Sequence, residues 1–223
     1  MIDFDAVVFD VDGTLYENRH MYLRSLPFAV RHPRLIAAFS AVRRRIRKLR
    51  PIDDFYRLQA ELLAEELGKE PQEARRLIDA TVYRKWESLL DGIPLSPGVE
   101  ALLHYLREDT QLKLGVLSDF PIERKLRLIG LENGWDVTLS SEEIGYLKPN
   151  PEPFEEVAGR LGTPPERVLY VGNSYRYDVL GSKAIGMLCA HFTRKQPRES
   201  RADLSFGHFR ELHGWILSHQ EYT

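Results

Sequence analysis

The stretch Ala6-Val7-Val8-Phe9-Asp10-Val11-Asp12-Gly13-Thr14-Leu15 decides the fold. Four consecutive apolar residues read as a strand buried on both faces. Two carboxylates follow, two positions apart, and the alternation of an extended chain sends the Asp10 and Asp12 side chains the same way. Gly13 then lets the chain leave the strand through a conformation that other residues resist. The acids thus stand at the carboxyl end of a buried strand, where open α/β sheets bind ligands. One such carboxylate can act as nucleophile and metal ligand, the other as proton donor and acceptor. The competing reading is a strand end whose acids are merely solvated.

Downstream of residue 94, strand-like and helical patterns alternate. Val99, Leu102, Leu103 and Leu106 have helical spacing, and 112–117 reads as a strand ending at Ser118. A helix over 121–129 stops at Gly130, a short strand covers 136–139, and 151–161 is helical, ended by Gly162 and Pro164-Pro165. A strand over 168–171, a helix over 178–185 and a strand over 187–192 complete the pattern. The polar stretch 193–203 reads as a surface loop, and an amphipathic helix covers 209–217. Such alternation predicts an α/β fold, a Rossmann-like parallel sheet with helices on both faces.

Residues 16–93 differ in kind, with no β-rich run. Leu35, Phe39, Val42, Ile46 and Leu49 form an apolar stripe on one helix. Phe55, Leu58 and Leu62 begin a second helix, and Ala74, Leu77, Ile78, Thr81 and Val82 a third. This predicts an all-helical insert over 16–93, with 1–15 and 94–223 forming the α/β core. The insert carries 16 Lys/Arg against 11 Asp/Glu, leaving a net charge of −7 elsewhere in a chain whose total is −2. A basic insert over an acidic core favours an anionic substrate between them.

The 223 residues suffice for a core plus a smaller domain. No apolar stretch approaches the roughly 20 residues needed to span a bilayer, and the first residues carry no secretion signal. The single cysteine, Cys189, lies in the apolar run 187–190 and reads as a buried structural thiol. The expected compartment is therefore the cytoplasm.

Four further positions fall where strands end. The Ser118 hydroxyl, with the backbone N–H groups that follow it, can hold phosphoryl oxygens. Lys148, in Gly145-Tyr146-Leu147-Lys148-Pro149-Asn150-Pro151, is a fixed ammonium able to neutralise charge on a transferring group. Gly172-Asn173-Ser174 closes the strand over 168–171, and Asp178 follows five residues after Asn173. Oxygen ligands there suit a hard cation such as Mg²⁺.

In this order, each after its own strand, these residues resemble the four motifs of the haloacid dehalogenase-like (HAD) phosphohydrolases, from residue 5 to about 190. The resemblance implies that Asp10 is the nucleophile, forming an aspartyl-phosphate, and Asp12 the general acid/base. It implies that Ser118 binds phosphate, that Lys148 neutralises charge, and that Asn173 and Asp178 occupy the metal-motif positions. Asp10 and the Asp12 backbone carbonyl would complete the magnesium site. The helical insert resembles the family's first class of cap, and Pro97-Gly98-Val99 with 181–187 resembles the phosphoglycolate phosphatase-like branch. The implied activity is Mg²⁺-dependent hydrolysis of a small phosphorylated metabolite.

Two positions depart from the pattern. The metal motif usually begins Gly-Asp, whereas Asn173 offers an amide oxygen without charge. Asp119 follows Ser118 at the phosphate-binding position, where asparagine is common; its carboxylate is expected to turn away toward a helix N-terminus near Pro121. These departures keep a non-catalytic phosphate-binding protein in view. A sugar phosphomutase would share the chemistry, and a dehalogenase is disfavoured because that branch typically lacks the second aspartate. The basic run Arg43-Arg44-Arg45-Ile46-Arg47-Lys48-Leu49-Arg50 reads as the solvated face of a packed helix rather than a nucleic-acid interface, with no aromatic platform beside it. Arg43, Arg47 and Tyr22 are candidates for substrate contact. The scattered histidines receive no role, and the oligomeric state is open.

Overall fold

The computed structural model describes residues 3–195 and 199–220. Six parallel strands form one sheet in the order β3-β2-β1-β4-β5-β6, where β1 is Ala6–Phe9, β2 Lys113–Ser118, β3 Val137–Ser140, β4 Val168–Gly172, β5 Leu188–Phe192 and β6 Leu204–Phe206. This is the doubly wound order, and its switch point lies between β1 and β4. The carboxyl ends of these two strands therefore flank a crevice, with Asp10 on one side and Asn173 on the other.

Alternation along the central strand assigns its side chains to two cores. Val7 and Phe9 pack with Val99, Leu102, Leu103 and Leu106 of α6 (Val99–Glu108) and with Phe209, Leu212 and Ile216 of α11 (Phe209–Gln220). Ala6 and Val8 face the other way, onto Phe154, Val157, Ala158 and Leu161 of α9 (Pro151–Leu161). Each such large side chain contributes about 1.5–3 kcal/mol of burial. The helix α9 begins with Pro151 at its first position and ends at Gly162, whose φ of +60° suits the left-handed C-cap. Cys189 is buried, and burial pushes its thiol up to about 12.

Between β1 and β2 the chain is helical: α1 (Asn18–Arg31), α2 (Pro33–Ile46), α3 (Phe55–Leu67) and α4 (Pro71–Leu77), which runs through a π turn (Ile78–Tyr83) into α5 (Arg84–Ser88). Leu35, Phe39, Val42 and Ile46 of α2 join Phe55, Leu62 and Leu63 of α3 and Ile78 and Val82 in a cluster separate from the two sheet cores. Met21, Leu90 and Ile93, near the ends of this region, belong instead to the α6/α11 core.

Several elements depart from the sequence expectation. Helix α1 has no apolar stripe to announce it: only Met21 is buried, while Tyr22, Leu23, Leu26 and Val30 are exposed. The short strand β6 lies just beyond the polar stretch 193–203, of which positions 196–198 lie outside the described residues. Asp203, at the end of that stretch, accepts from the Cys189 N–H at 2.7 Å and from Lys183, which fastens the segment to β5. The expected helix over 178–185 is a π turn (Tyr175–Val179) followed by α10 (Leu180–Ala184). The short α8 (Ser141–Ile144) was not foreseen, and the helix expected over 121–129 is α7 (Glu123–Leu128). Among the described residues no helix is long and apolar enough to cross a membrane.

Candidate active site

The loop after β1 is shaped by one glycine. Gly13 has φ +88°, and a Cβ there would stand 2.0 Å from Nδ2 of Asn173 and 2.3 Å from Nδ2 of Asn18. Its absence lets the loop fold against Asn173 at the end of β4. The Thr14 hydroxyl donates to Asp10 Oδ2 at 2.7 Å, and its carbonyl accepts from Ser96 Oγ at 2.7 Å. Asp10 is thereby held at the mouth of the crevice with its second oxygen free for another partner.

That partner is Lys148. Its Nζ donates to Asp10 Oδ1 at 2.7 Å, to Asp178 Oδ1 at 2.7 Å and to the Tyr170 hydroxyl at 3.0 Å. Burial alone would lower the ammonium's pKa, but Asp10 and Asp178 hold it well above its ordinary value. Asp178 is fixed by the Ser174 N–H, which donates to its Oδ2 at 2.8 Å. The N-cap of the π turn is Ser174, which accepts from the Tyr177 N–H, so Asp178 is released from capping to face the lysine. Gly172 makes this approach possible, because a Cβ there would lie 2.5 Å from Asp178 Cβ and Cγ.

Asp12 sits in a second, separate cradle. Its Oδ1 accepts from the Tyr16 hydroxyl, and its Oδ2 from Ser118 Oγ at 3.1 Å and from Lys125 Nζ. Lys125 also donates to Ser118 Oγ at 3.1 Å. Burial raises both aspartates, with opposite outcomes. At Asp10 burial wins, aided by Asp178 and Asp12 against Lys148, and the carboxyl rises to about 7. At Asp12 the pull of Lys125, Tyr16 and Ser118 overcomes burial and holds the carboxyl below its usual value. Three carboxylates thus meet two ammonium groups, and the uncompensated charge appears at Asp10.

Lys125 and Tyr16 were not anticipated. Lys125 belongs to the run Glu123-Arg124-Lys125 and looks like a surface residue, yet it is 1% exposed. The available signal was its position: Ile122, Leu126 and Ile129 make an apolar face on α7, and Lys125 falls on that face, three residues after Ile122 and four before Ile129.

Asp119 does turn away from Ser118, but not toward the N-terminus of α7. Its Oδ1 accepts from the Lys148 N–H at 3.0 Å, and its Oδ2 pairs with Arg47. These donors, Arg47 first among the charges, outweigh burial and keep its carboxyl below the ordinary range. The basic run is accordingly not all solvated. Arg43 is buried; it pairs with Glu142 of α8 and donates to Gln59 Oε1 at 3.2 Å and to the Asp119 carbonyl. Arg47 donates to the Lys148 carbonyl at 2.7 Å. Tyr83 donates to both Glu142 oxygens, at 2.9 and 3.0 Å. Arg44, Arg45, Lys48 and Arg50 remain exposed.

Oxygen donors around the crevice are Asp10, the Asp12 carbonyl, Asn173 and Asp178; both oxygens of Asp10 and both of Asp178 already accept hydrogen bonds. Among the described residues there is no cluster of three or more His, Cys, Asp or Glu side chains with metal-binding geometry. The His191 ring lies 3.2 Å from the Asn173 carbonyl and braces that turn. Beside the Asp12 cradle opens a cavity of about 470 Å³ between α1, α2, the π turn, α5 and the Phe120-Pro121 loop. Tyr22, Arg43 and Arg47 all line it, as does Lys125.

Comparison with known proteins agrees with this placement of strand ends. The family described as haloacid dehalogenase-like hydrolase matches residues 4–186, which hold every side chain of the two cradles. Glyceraldehyde 3-phosphate phosphatase of Methanopyrus kandleri is 31% identical over 211 residues, 89% of this chain and 88% of its own. Phosphoglycolate phosphatase of Yersinia pestis is 26% identical over 232 residues, 95% of this chain and 94% of its own. The crystal structure of a HAD phosphatase from Thermococcus onnurineus shares the fold, with a TM-score of 0.63 at 24% identity over 96% of this chain and 98% of that one. The chain belongs to the haloacid dehalogenase-like hydrolases.

Proposed function

We propose that the protein is a Mg²⁺-dependent phosphomonoester hydrolase that passes through an aspartyl-phosphate on Asp10. The observation that carries this reading is the division of labour between two ammonium groups, Lys148 on Asp10 and Lys125 on Asp12 and Ser118. Phosphoryl transfer needs positioning and charge neutralisation more than any special reactive group. The two lysines supply the charge on either side of the place a phosphoryl group would occupy.

Asp10 attacks phosphorus as the bond to the leaving oxygen breaks. Phosphoryl oxygens compete with the Asp12 carboxylate for Lys125 and Ser118, so Asp12 loses the partners that keep it ionised and its proton affinity rises. Asp12 then takes up a proton from solvent and passes it to the departing alkoxide. In the second half it takes a proton from water, the water oxygen attacks phosphorus, and the bond to Asp10 breaks to restore the carboxylate. Asp10, the Asp12 carbonyl and Asn173 would hold the magnesium, with Asp178 positioning Lys148 behind them. This donor set is all oxygen with few carboxylates, as Mg²⁺ prefers; burial, with Asp178 and Asp12 adding to it, raises Asp10 to about 7, and a cation there would favour its ionised form. Bound magnesium would supply charge neutralisation on the phosphoryl oxygens.

Residues 16–93 act as the cap over this site, and the substrate is a small phosphorylated metabolite of the cytoplasm. The test is turnover of p-nitrophenyl phosphate with and without Mg²⁺, beside the Asp10→Asn variant. The variant should lose at least about 10³ in kcat while keeping the wild-type unfolding curve; an active variant refutes the mechanism. Asn173 motivates a second reading, a phosphate-binding protein without turnover. That protein would bind beryllium fluoride or vanadate yet release no phosphate from any ester. Transfer to a second hydroxyl, as in a phosphomutase, would likewise release no free phosphate but would convert the ester.

A further inference from the structure

The cavity beside Asp12 is built for hydrocarbon. Phe28 of α1, Phe39 of α2, Val82 of the π turn and Trp86 of α5 form its walls, with Phe120 and Tyr177 contributed from the sheet side. The Trp86 and Phe120 rings are stacked, with centroids 6.2 Å apart and planes within 25°. Its volume of about 470 Å³ lies in the range of sites that enclose whole organic ligands, about 300–1,000 Å³.

The charged groups on these walls are already committed. Arg43 is bound by Glu142, Gln59 and the Asp119 carbonyl, and its guanidinium lies 4.4 Å over the Phe120 ring. Arg47 is bound by Asp119 and stacks 4.4 Å over Tyr177. Glu87 is paired with Arg124 at 3.4 Å. Among the described residues, Arg44 and Lys85 alone of the lining cations have no side-chain hydrogen bond or ion pair, and both are exposed at the mouth. The interior is therefore mainly aromatic faces, with the buried, unpartnered Trp86 Nε1 a polar exception, and it suits a ring better than the hydroxyls of a small polar alcohol.

Lys125 joins this space to the chemistry. It lines the cavity and holds both Asp12 and Ser118. A leaving oxygen protonated by Asp12 departs next to this wall. Resting on the phosphatase reading above, we propose that the cavity receives the leaving group and that the preferred substrates are phosphomonoesters of bulky, apolar, ring-bearing alcohols.

The test compares kcat/KM for 2-phenylethyl phosphate and ethyl phosphate, whose leaving groups are both primary alkoxides, so that burial rather than leaving-group chemistry separates them. The phenyl ester should be favoured by at least about 10-fold, the lower range for burying an aromatic ring. Ser40→Trp, at an exposed position on the cavity wall, should fill the space and bring the ratio toward one. A wild-type ratio near one overturns the proposal, as does uridine 5′-monophosphate outperforming the phenyl ester. Fluorescence of 1-anilinonaphthalene-8-sulfonate, competed by 2-phenylethyl phosphate, reports on the cavity without turnover. If esters are hydrolysed but the probe neither binds nor is displaced, the cavity inference fails and the phosphatase reading stands. If no ester is hydrolysed, the phosphatase reading fails; probe binding that is displaced by the ester and lost in Ser40→Trp then sustains an apolar ligand site, and its absence overturns it.

Discussion

Arg43→Met should destabilise the protein by about 3 kcal/mol at pH 8 and by less at pH 5. Arg43 and Glu142 are 4% and 1% exposed, so the substitution leaves a carboxylate out of reach of water. Removing one partner of a buried ion pair costs about 3–5 kcal/mol. The lower figure applies here because the Tyr83 hydroxyl still donates to Glu142. Burial already raises the Glu142 carboxyl above its ordinary 4.5, against the opposing pull of Arg43 and Tyr83. The folded protein therefore binds more protons than the unfolded chain above that value, and stability contributed by this group falls as pH rises. Without Arg43 the folded pKa climbs further, so the deficit of the variant relative to wild type grows from pH 5 to pH 8. Urea unfolding at the two pH values measures both quantities. Adding Glu142→Gln should recover most of the loss, since a neutral amide can stay buried against Tyr83. A deficit below about 1 kcal/mol at pH 8, or one that does not change with pH, refutes the reading of Arg43 as the counter-ion of Glu142 in the buried network between α2 and α8.

Three further substitutions address the site itself. Gly172→Ala places a Cβ 2.5 Å from Asp178, which should pull the carboxylate off Lys148, lower kcat more than it alters KM, and cost about 1–3 kcal/mol of stability; Gly159→Ala, with open space around it on α9, should instead stabilise by about 0.5–1 kcal/mol, and equal effects at the two glycines would defeat the argument. Lys125→Met removes the ammonium that keeps Asp12 ionised, so the limb of the pH–rate profile governed by Asp12 should move to higher pH and kcat/KM should fall by about 10²-fold; an unshifted profile would show that Lys125 does not act on Asp12. Asn173→Asp should shift magnesium activation to lower concentration, read as the half-saturating Mg²⁺ in a turnover titration, and an unchanged titration removes Asn173 from the ligand set.

Residues whose placement follows from sequence neighbours were legible, and those whose placement depends on a distant partner were not. β1 and α9 have the expected bounds because an unbroken apolar run and a Pro-to-Gly frame are local signals. Asp10 and Asp12 after β1, Ser118 at the end of β2, Lys148 at the loop-to-helix junction before α9 and Asn173 after β4 all follow from the alternation of strands and helices. Helix α1 was missed because a helix that buries only Met21 writes no stripe, and it contains Pro27 as well. β6 was missed because three residues are too few to show alternation. Lys125 carries no motif of its own, and Arg43 sits in a run that reads as a mostly solvated helix face with candidate substrate contacts, yet both are buried. Both lie on the apolar face of their helix, Lys125 between Ile122 and Ile129, and Arg43 four residues after Phe39 and three before Ile46. A charge on a buried face demands an opposite charge from elsewhere in the fold, and the identity of that partner is long-range information.

Asp119 illustrates what this constraint produces. Beside a phosphate site a carboxylate is unfavourable, and the sequence alone predicts that it turns away toward a helix N-terminus. In the structure it accepts from the Lys148 N–H and pairs with Arg47, while its carbonyl accepts from Arg43 and Arg47 in turn holds the Lys148 carbonyl. Arg43 of α2 and Arg47 at its C-cap thus grip the loops that carry Ser118 and Lys148, and Asp119 is the link they share. An asparagine at this position would keep the contact to the Lys148 N–H but leave Arg47 half-buried without its counter-ion. The negative charge that weakens the phosphate site locally is neutralised by the helical region above it. The departures at Asp119 and in the basic run are therefore one feature: a coupling of α2 and its C-cap to the loops after β2 and α8, in which moving the helix moves the lysine that faces Asp10.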